Sequence, residues 1–401
     1  MKKIKGRRKV IRVKEDNKYY FMLSEVVMLS LVSIFFGIIV GLLISYSKSM
    51  FFDSSDKKVN EIVSTYNNIV NSYYDNVNKD KLVNGAINGM INSLEDPNSL
   101  YLDEETSNAF NQNIDGYYEG VGISVTYVGG NCAVYEVFKG SSADRVGLKK
   151  GDILIEINGT NVEDYSMDEI TRLIKDSPSS VIRMTIKRDG KKKKFVLKRG
   201  RVELSSVSKK VIDKNIGYIK VSTFARNTAS QFNNNLKSLE KKNIKSLIID
   251  LRDNPGGHLN QVDDMLDLFF KKNTVLYQVE VNKKITDIKA KSNITRNYPV
   301  IILINENSAS ASEIIASCFK ENYKNIKLVG HNSFGKGTVQ KEVKLSTGSS
   351  IKYTTEKWLT SKGKWLNNDT TGGLKVDILV DNEEDKDNQL TKAVEEIKKS
   401  S

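Results

Sequence analysis

Between residues 215 and 314 short apolar runs alternate with helical patterns, and this alternation restricts the fold more than any other feature of the chain. Residues 216–222 read as a strand, after which Ala229, Phe232, Leu236 and Leu239 fall at helical spacing. A second strand at 246–251 precedes a helix carrying Val262, Met265, Leu266 and Phe269. A third, at 299–303, leads into a helix that starts among serines. Strand and helix in turn, with strands apolar along their whole length, imply α/β architecture and a largely parallel sheet covered on both faces. Sheets of this kind collect ligands at the carboxyl ends of their strands. Two segments lie just past such ends, 252–257 and 305–312.

Both segments carry groups suited to attack on a carbonyl. In SASASEI, 308–314, three serines alternate with alanine at a helix start, so at least one hydroxyl should lie where free N–H groups point. Asp253-Asn254-Pro255-Gly256-Gly257 is a turn whose glycines let backbone N–H groups approach an oxyanion. A serine also needs a base. His258 and His331 are the only histidines, whereas FGKGTVQ, 334–340, offers Lys336 between two glycines. Bringing a lysine from a pKa of about 10.4 to near 7 costs roughly 4 to 5 kcal/mol of differential solvation, so this reading requires Lys336 to be buried. Gln340, four residues on in an extended stretch, shares its face and is placed to hydrogen-bond it. Residues 330–336 also read G-x-x-x-x-G-K, but Gly337 stands where a phosphate loop needs Ser or Thr, and an alternating strand pattern follows. No metal or cofactor is called for.

The chain has 401 residues with a formal charge of +13, and residues 1–19 alone carry nine Lys and Arg against Glu15 and Asp16, net +7. The remaining basic runs, such as 191–194, are interspersed with acids and lack interleaved aromatics, which excludes a nucleic-acid partner. Residues 26–44 contain no charge and would span about 28 Å as a helix, close to the roughly 30 Å core of a bilayer. They read as a single-pass signal anchor in the cell membrane, with the basic tail cytoplasmic and everything after it extracytoplasmic. Cys132 and Cys318 are far apart and read as buried side chains rather than a disulfide.

After this segment, Val59, Ile62, Val63, Tyr66, Ile69, Val70 and Tyr73 repeat at helical spacing, as do Leu82, Val83, Ala86, Ile87, Met90, Ile91 and Leu94. Their apolar stripes need cover, from the main body or from a second copy of the chain. Between 116 and 199 short strands surround one helix, announced by a capping box of Ser166 and Glu169. Five or so strands, the run GVGI at Gly120, Val121, Gly122 and Ile123, and SADRVGLKKGDILIEING at 142–159 resemble a PDZ module. In such modules the glycine-flanked turn offers N–H groups to a peptide's C-terminal carboxylate.

SASASEI, FGKGTVQ, DLRDNPGG at 250–257, GYIKVSTF at 217–224 and the PDZ-like segment, in their order along the chain, resemble the carboxy-terminal processing (tail-specific) proteases. The resemblance covers nearly everything from Val59 onward. It implies a crotonase-like peptidase domain at 200–401 with a C-terminal helix, an inserted PDZ domain at 113–199 and a helical region at 47–112. These follow the anchor at 20–46 and the basic tail at 1–19. It also implies that Ser310 is the nucleophile, Lys336 its base and Gln340 the residue orienting the lysine. The oxyanion hole would come from the N–H groups of Ala311 and one glycine of the Gly256 and Gly257 pair. Substrates would be C-terminal tails of proteins, and a homodimer is expected. The chain departs from the family at Thr360-Ser361-Lys362-Gly363 and Lys375-Val376-Asp377, both outside the dyad. The rival reading is a catalytically inactive PDZ-type scaffold, against which the joint presence of Ser310, Lys336 and Gln340 argues.

Overall fold

The computed structural model describes residues 22–51, 57–367 and 372–399, and the basic tail lies outside them. Two compact units are present, residues 1–83 and 84–401.

In the first unit a helix runs over Leu23–Phe51 and a second over Lys57–Ser72. The expectation of a membrane-spanning anchor at 20–46 is overturned, because among the described residues no helix is long and apolar enough to cross a membrane. Ser30 and Ser33 in the helix Leu23–Phe51 return their hydroxyls to the carbonyls of Val26 and Leu29. The membrane as a partner, the cytoplasmic tail and the extracytoplasmic catalytic part all rested on that span and are withdrawn with it. The helix Lys57–Ser72 has the expected apolar stripe and no buried residue.

The second unit is built around a six-stranded sheet in the order Val207–Ile212, Ile216–Val221, Ser246–Asp250, Val300–Ile304, Ile326–Gly330 and Ile378–Leu379. The first pair is antiparallel and every other pair parallel. Ser246–Asp250 and Val300–Ile304 are buried at every position, which is why their sequences are apolar without alternation. The helices Thr228–Glu240, Leu259–Leu266 and Ala311–Asn322 share one core with the sheet through Phe232, Leu236, Val262, Ile315 and Phe319. Asn388–Lys398 shares a second core, where Ala393 and Ile397 meet Tyr218, Ile248, Ile301 and Val329.

A second sheet joins Leu100–Leu102, Thr338–Lys344 and Val275–Val281 to the long strand Ser350–Thr360, with Lys284–Lys289 beyond Val275–Val281. It brings the segment after Lys336 alongside residues from near position 100. A third sheet, from Ile123–Val128 to Lys191–Lys198, forms its own core around Ile157, Ile170, Ile182 and Ile186. Its helix Met167–Lys175 starts at the Ser166 and Glu169 capping box. The ribbon pairing Tyr117–Gly120 with Gly200–Glu203 closes this module where the chain enters and leaves it.

Candidate active site

The turn after Ser246–Asp250 and the turn before Ala311–Asn322 are tied together by hydrogen bonds. Asn254, fully buried, anchors its Nδ2 on the Val221 carbonyl at 2.9 Å. Its own carbonyl accepts the Ala309 N–H at 3.1 Å and the Ser312 hydroxyl at 2.9 Å. The Ser308 hydroxyl donates to the Leu251 carbonyl at 2.8 Å. Of the three serines, the outer two are therefore buried struts. The middle one, Ser310, sits half-buried on a backbone of φ 53° and ψ −112°. A side chain held at such a dihedral costs on the order of 1–3 kcal/mol and persists only where its surroundings enforce it.

Ser310 opens onto a cleft of about 530 Å³ that is also lined by Gly256, Gly257, Lys336, Thr338 and Gln340. Pro255, Leu259, Val339, Phe110 and Ile114 give the same cleft an apolar wall. Lys336 is fixed by its backbone. Its carbonyl accepts the Trp358 indole N–H at 2.7 Å, and Gly337 presses so close to the Leu366 carbonyl that a Cβ there would lie 1.8 Å from the oxygen. Burial pushes the Lys336 ammonium below the ordinary lysine pKa, while the charges of Asp96 and Glu313 pull it part of the way back. The strand Thr338–Lys344 shifts register between Val339 and Gln340, so simple alternation does not decide which of its side chains face the cleft.

The carboxylate of Glu313 joins the two halves of the site. It is fully buried and accepts the backbone N–H groups of Ser310 and Lys336 at 2.8 Å each, that of Gly335 at 2.6 Å, and the Ser333 hydroxyl at 2.5 Å. Burial raises its pKa, and these four donors oppose the rise. A Glu three residues after a helix-starting serine reads as a capping box, so its link to the lysine loop was not visible from spacing.

Gly256 and Gly257 adopt φ of 107° and 147°. A Cβ on Gly256 would lie 3.0 Å from that of Ser310, and one on Gly257 would lie 2.4 Å from the Phe224 carbonyl oxygen. The Gly256 N–H is engaged by Asn254 Oδ1 at 2.9 Å, whereas the Gly257 N–H has no partner among the described residues. Ala311 is the first residue of its helix, so its N–H is free of the helical ladder.

His258 lines the cleft and pairs with Asp115, Nε2 to Oδ1 at 2.9 Å. His331 is elsewhere, bonded to Asp381 at 2.8 Å beside a polar depression that includes Arg252 and Asp387. The residues resembling a phosphate loop do not form one: Gly330 ends a strand, and the segment after Lys336 enters another.

Gly120, Val121, Gly122 and Ile123 do not line the cleft but sit at the start of the β-rich module. Their carbonyls are held by the protein, Val121 by the Ala143 N–H at 2.9 Å, Gly122 by the Phe138 N–H at 3.0 Å and Ile123 by the Tyr118 hydroxyl at 3.2 Å. Gly122, at φ 95°, packs where a Cβ would meet the Ser141 Cβ at 2.0 Å.

Comparison with known proteins places the chain in a class of hydrolases. The model of peptidase family S41 matches residues 215–380, that of a PDZ domain residues 134–188, and that of the activating protease CtpB N-terminal domain residues 45–106. Carboxy-terminal processing protease CtpB of Bacillus subtilis (strain 168) is 39% identical over 317 residues, covering 78% of this chain and 66% of that protein. Carboxy-terminal processing protease CtpA of the same organism is 35% identical over 317 residues, 78% of this chain and 67% of the relative. A probable CtpA-like serine protease of Staphylococcus haemolyticus is 31% identical over 341 residues, 84% and 68% of the two chains. The chain belongs to the carboxy-terminal processing proteases of peptidase family S41. It spans about two thirds of the length of these relatives.

Proposed function

We propose that this protein is a serine endopeptidase that takes the C-terminal tails of protein substrates through its PDZ module and cleaves by acyl-enzyme chemistry. The observation that carries the reading is the pairing, across one cleft, of a serine held at a positive φ with a half-buried lysine of lowered pKa. The neutral amine of Lys336 takes the Ser310 hydroxyl proton as Oγ adds to the scissile carbonyl. The oxyanion is met by the N–H groups of Ala311 and Gly257, since that of Gly256 is already bonded. Collapse breaks the C–N bond, and the protonated lysine returns its proton to the leaving amine. Water then adds to the acyl ester with Lys336 again accepting a proton, which passes to Ser310 Oγ as the acid product departs. Gln340 holds the lysine in line.

Recognition belongs to the loop of Gly120, Val121, Gly122 and Ile123, whose N–H groups would take the tail's carboxylate. The exposed stripe of Val59, Ile62, Val63 and Ile69 supports pairing with a second copy, which a mass by light scattering at micromolar concentration tests.

Incubating the chain with an unfolded protein and following new fragments by mass spectrometry tests the function. Fragments are expected from the wild type and none from Ser310→Ala. A wild-type chain that binds tails but yields no fragments would establish the scaffold reading instead.

A further inference from the structure

Asp96 lies outside every segment that carried the sequence argument, yet its charge acts on Lys336. The strand Leu100–Leu102 pairs with Ser350–Thr360, and this brings the preceding turn against the strand that holds Thr354. Asp96 Oδ2 accepts the hydroxyl protons of Ser99 and Thr354 at 2.6 Å each, and Oδ1 accepts the Asn98 N–H at 3.0 Å. Burial works against ionisation here, but these donors outweigh it and hold the carboxyl below its usual range. Ionised, it only accepts.

The direction of each bond in the chain then follows. Thr354 has one hydroxyl proton, and it is spent on Asp96. Toward Gln340 the same oxygen can only accept, and Gln340 Nε2 lies 3.3 Å from it and 2.9 Å from Thr338 Oγ1. Thr338 alone would not distinguish the two ends of the amide, since a hydroxyl both donates and accepts. Thr354 does, because Asp96 has removed its capacity to donate. Both amide protons of Gln340 are thereby committed, and Oε1 is the end left for the lysine.

We infer that Asp96 is a positioning residue for the dyad: acting through Thr354, it fixes the Gln340 amide so that the carbonyl oxygen, not the NH2, meets Lys336. The inference rests on Lys336 being the base. The charged groups around that lysine are Asp96 and Glu313, with His258, Glu342 and Lys352 lining the same cleft. Removing the Asp96 charge lowers the lysine's proton affinity further, so the acid limb of activity moves to lower pH. An amide at position 96 can also donate to Thr354, which frees Thr354 to donate to Gln340 and lets that amide turn over.

The test measures kcat/KM against pH on one unfolded protein substrate for the wild type, Asp96→Asn, Thr354→Val and Lys336→Ala, with thermal melts to establish folding. Asp96→Asn is expected to lose on the order of tenfold in the high-pH plateau and to shift its acid limb to lower pH. Thr354→Val breaks the same chain while keeping the charge, so its plateau falls and its limb stays. Wild-type activity in Lys336→Ala would remove the underlying dyad reading. An inactive Lys336→Ala beside folded Asp96→Asn and Thr354→Val variants that both keep the wild-type plateau would overturn the role of Asp96 alone. Should Asp96→Asn fail to fold, a wild-type plateau in Thr354→Val would overturn it.

Discussion

Ser310 and Lys336 donate their backbone N–H groups to the same oxygen, Oε2 of Glu313, at 2.8 Å each. Two loops 26 residues apart in sequence are thus clamped on one buried carboxylate, with Gly335 and Ser333 on its other oxygen. Replacing Glu313 by Gln keeps the volume but turns one acceptor oxygen into a donor that faces N–H groups. Leaving two buried donors unpaired costs about 1–3 kcal/mol each, and a displacement of about 1 Å at the dyad costs about a hundredfold in rate. Glu313→Gln should therefore melt at clearly lower temperature and lose about two orders of magnitude of activity at temperatures where it is still folded. Wild-type cleavage by the folded variant would show that the clamp does not position the dyad.

In the proposed mechanism Ser310→Ala removes the atom that forms the acyl intermediate, and Lys336→Ala removes the base. Because the two act as a unit, each should fall to background and the double variant should be scarcely worse than either. Lys336→Arg should fail as well, since a guanidinium stays protonated. Multiplicative losses in the double variant, measured by fragment release, would separate the two roles.

Activity should rise with pH, because only the neutral amine accepts the serine proton. Burial lowers the Lys336 pKa, so the midpoint of the limb should lie below the ordinary lysine value of 10.5. His258 faces the same cleft and is the competitor that the structure singles out over His331. His258→Ala should retain most of the activity and leave the limb in place. Loss of activity in His258→Ala together with full activity in Lys336→Ala would transfer the base to the histidine.

A peptide ending in a free carboxylate should bind the module at Gly120, Val121, Gly122 and Ile123 much more tightly than its C-terminal amide. Fluorescence anisotropy with the pair of peptides checks this. Gly122→Ala should weaken the acid form, since the new methyl is driven into Ser141 and distorts the turn. Equal affinity for acid and amide would remove the carboxylate from the recognition.

The sheet was legible because its central strands are apolar on both faces, and the helix from Met167 because Ser166 and Glu169 form a local capping box. Ser308, Ser310 and Ser312 were not separable by spacing, as alternate positions look alike until Leu251 and Asn254 are seen to engage the outer two hydroxyls. The same holds for Gly256 and Gly257, which spacing does not separate and which differ in that Asn254 engages the N–H of Gly256. Asp96, Glu313 and Thr354 escaped for a different reason. Asp96 and Thr354 make their contacts across folded elements, in a loop and a strand whose polar patterns read as solvent-facing, while Glu313 reads as a local capping box although it also bonds the backbone of Gly335 and Lys336. The membrane span read from the uncharged run at 26–44 is not matched by the described helices, none of which is long and apolar enough to cross a membrane.

Arg252 tests how far the turn bearing Gly256 and Gly257 depends on its support. Its guanidinium, mostly buried, bonds both oxygens of Asp250 at 2.9 and 2.6 Å and both of Asp387 at 2.6 and 2.9 Å, and it reaches Gln389 at 3.1 Å. Tyr218 adds its hydroxyl to Asp250 at 2.7 Å. Burial alone would lower the arginine's pKa, but the bonds to Asp250 and Asp387 outweigh it and raise it, so the guanidinium stays charged. The network joins the start of the turn bearing Gly256 and Gly257 to the head of the helix Asn388–Lys398. Arg252→Ala leaves the fully buried Asp250 without its charge partner, which costs about 3–5 kcal/mol. Arg252→Lys restores one charge but cannot bridge two carboxylates in fork geometry, so it should recover stability only in part. Urea midpoints should rank wild type above Arg252→Lys above Arg252→Ala. Asp387→Asn, at the more exposed end of the network, should cost less than Arg252→Ala. A midpoint for Arg252→Ala equal to that of the wild type would mean that the turn stands without this network.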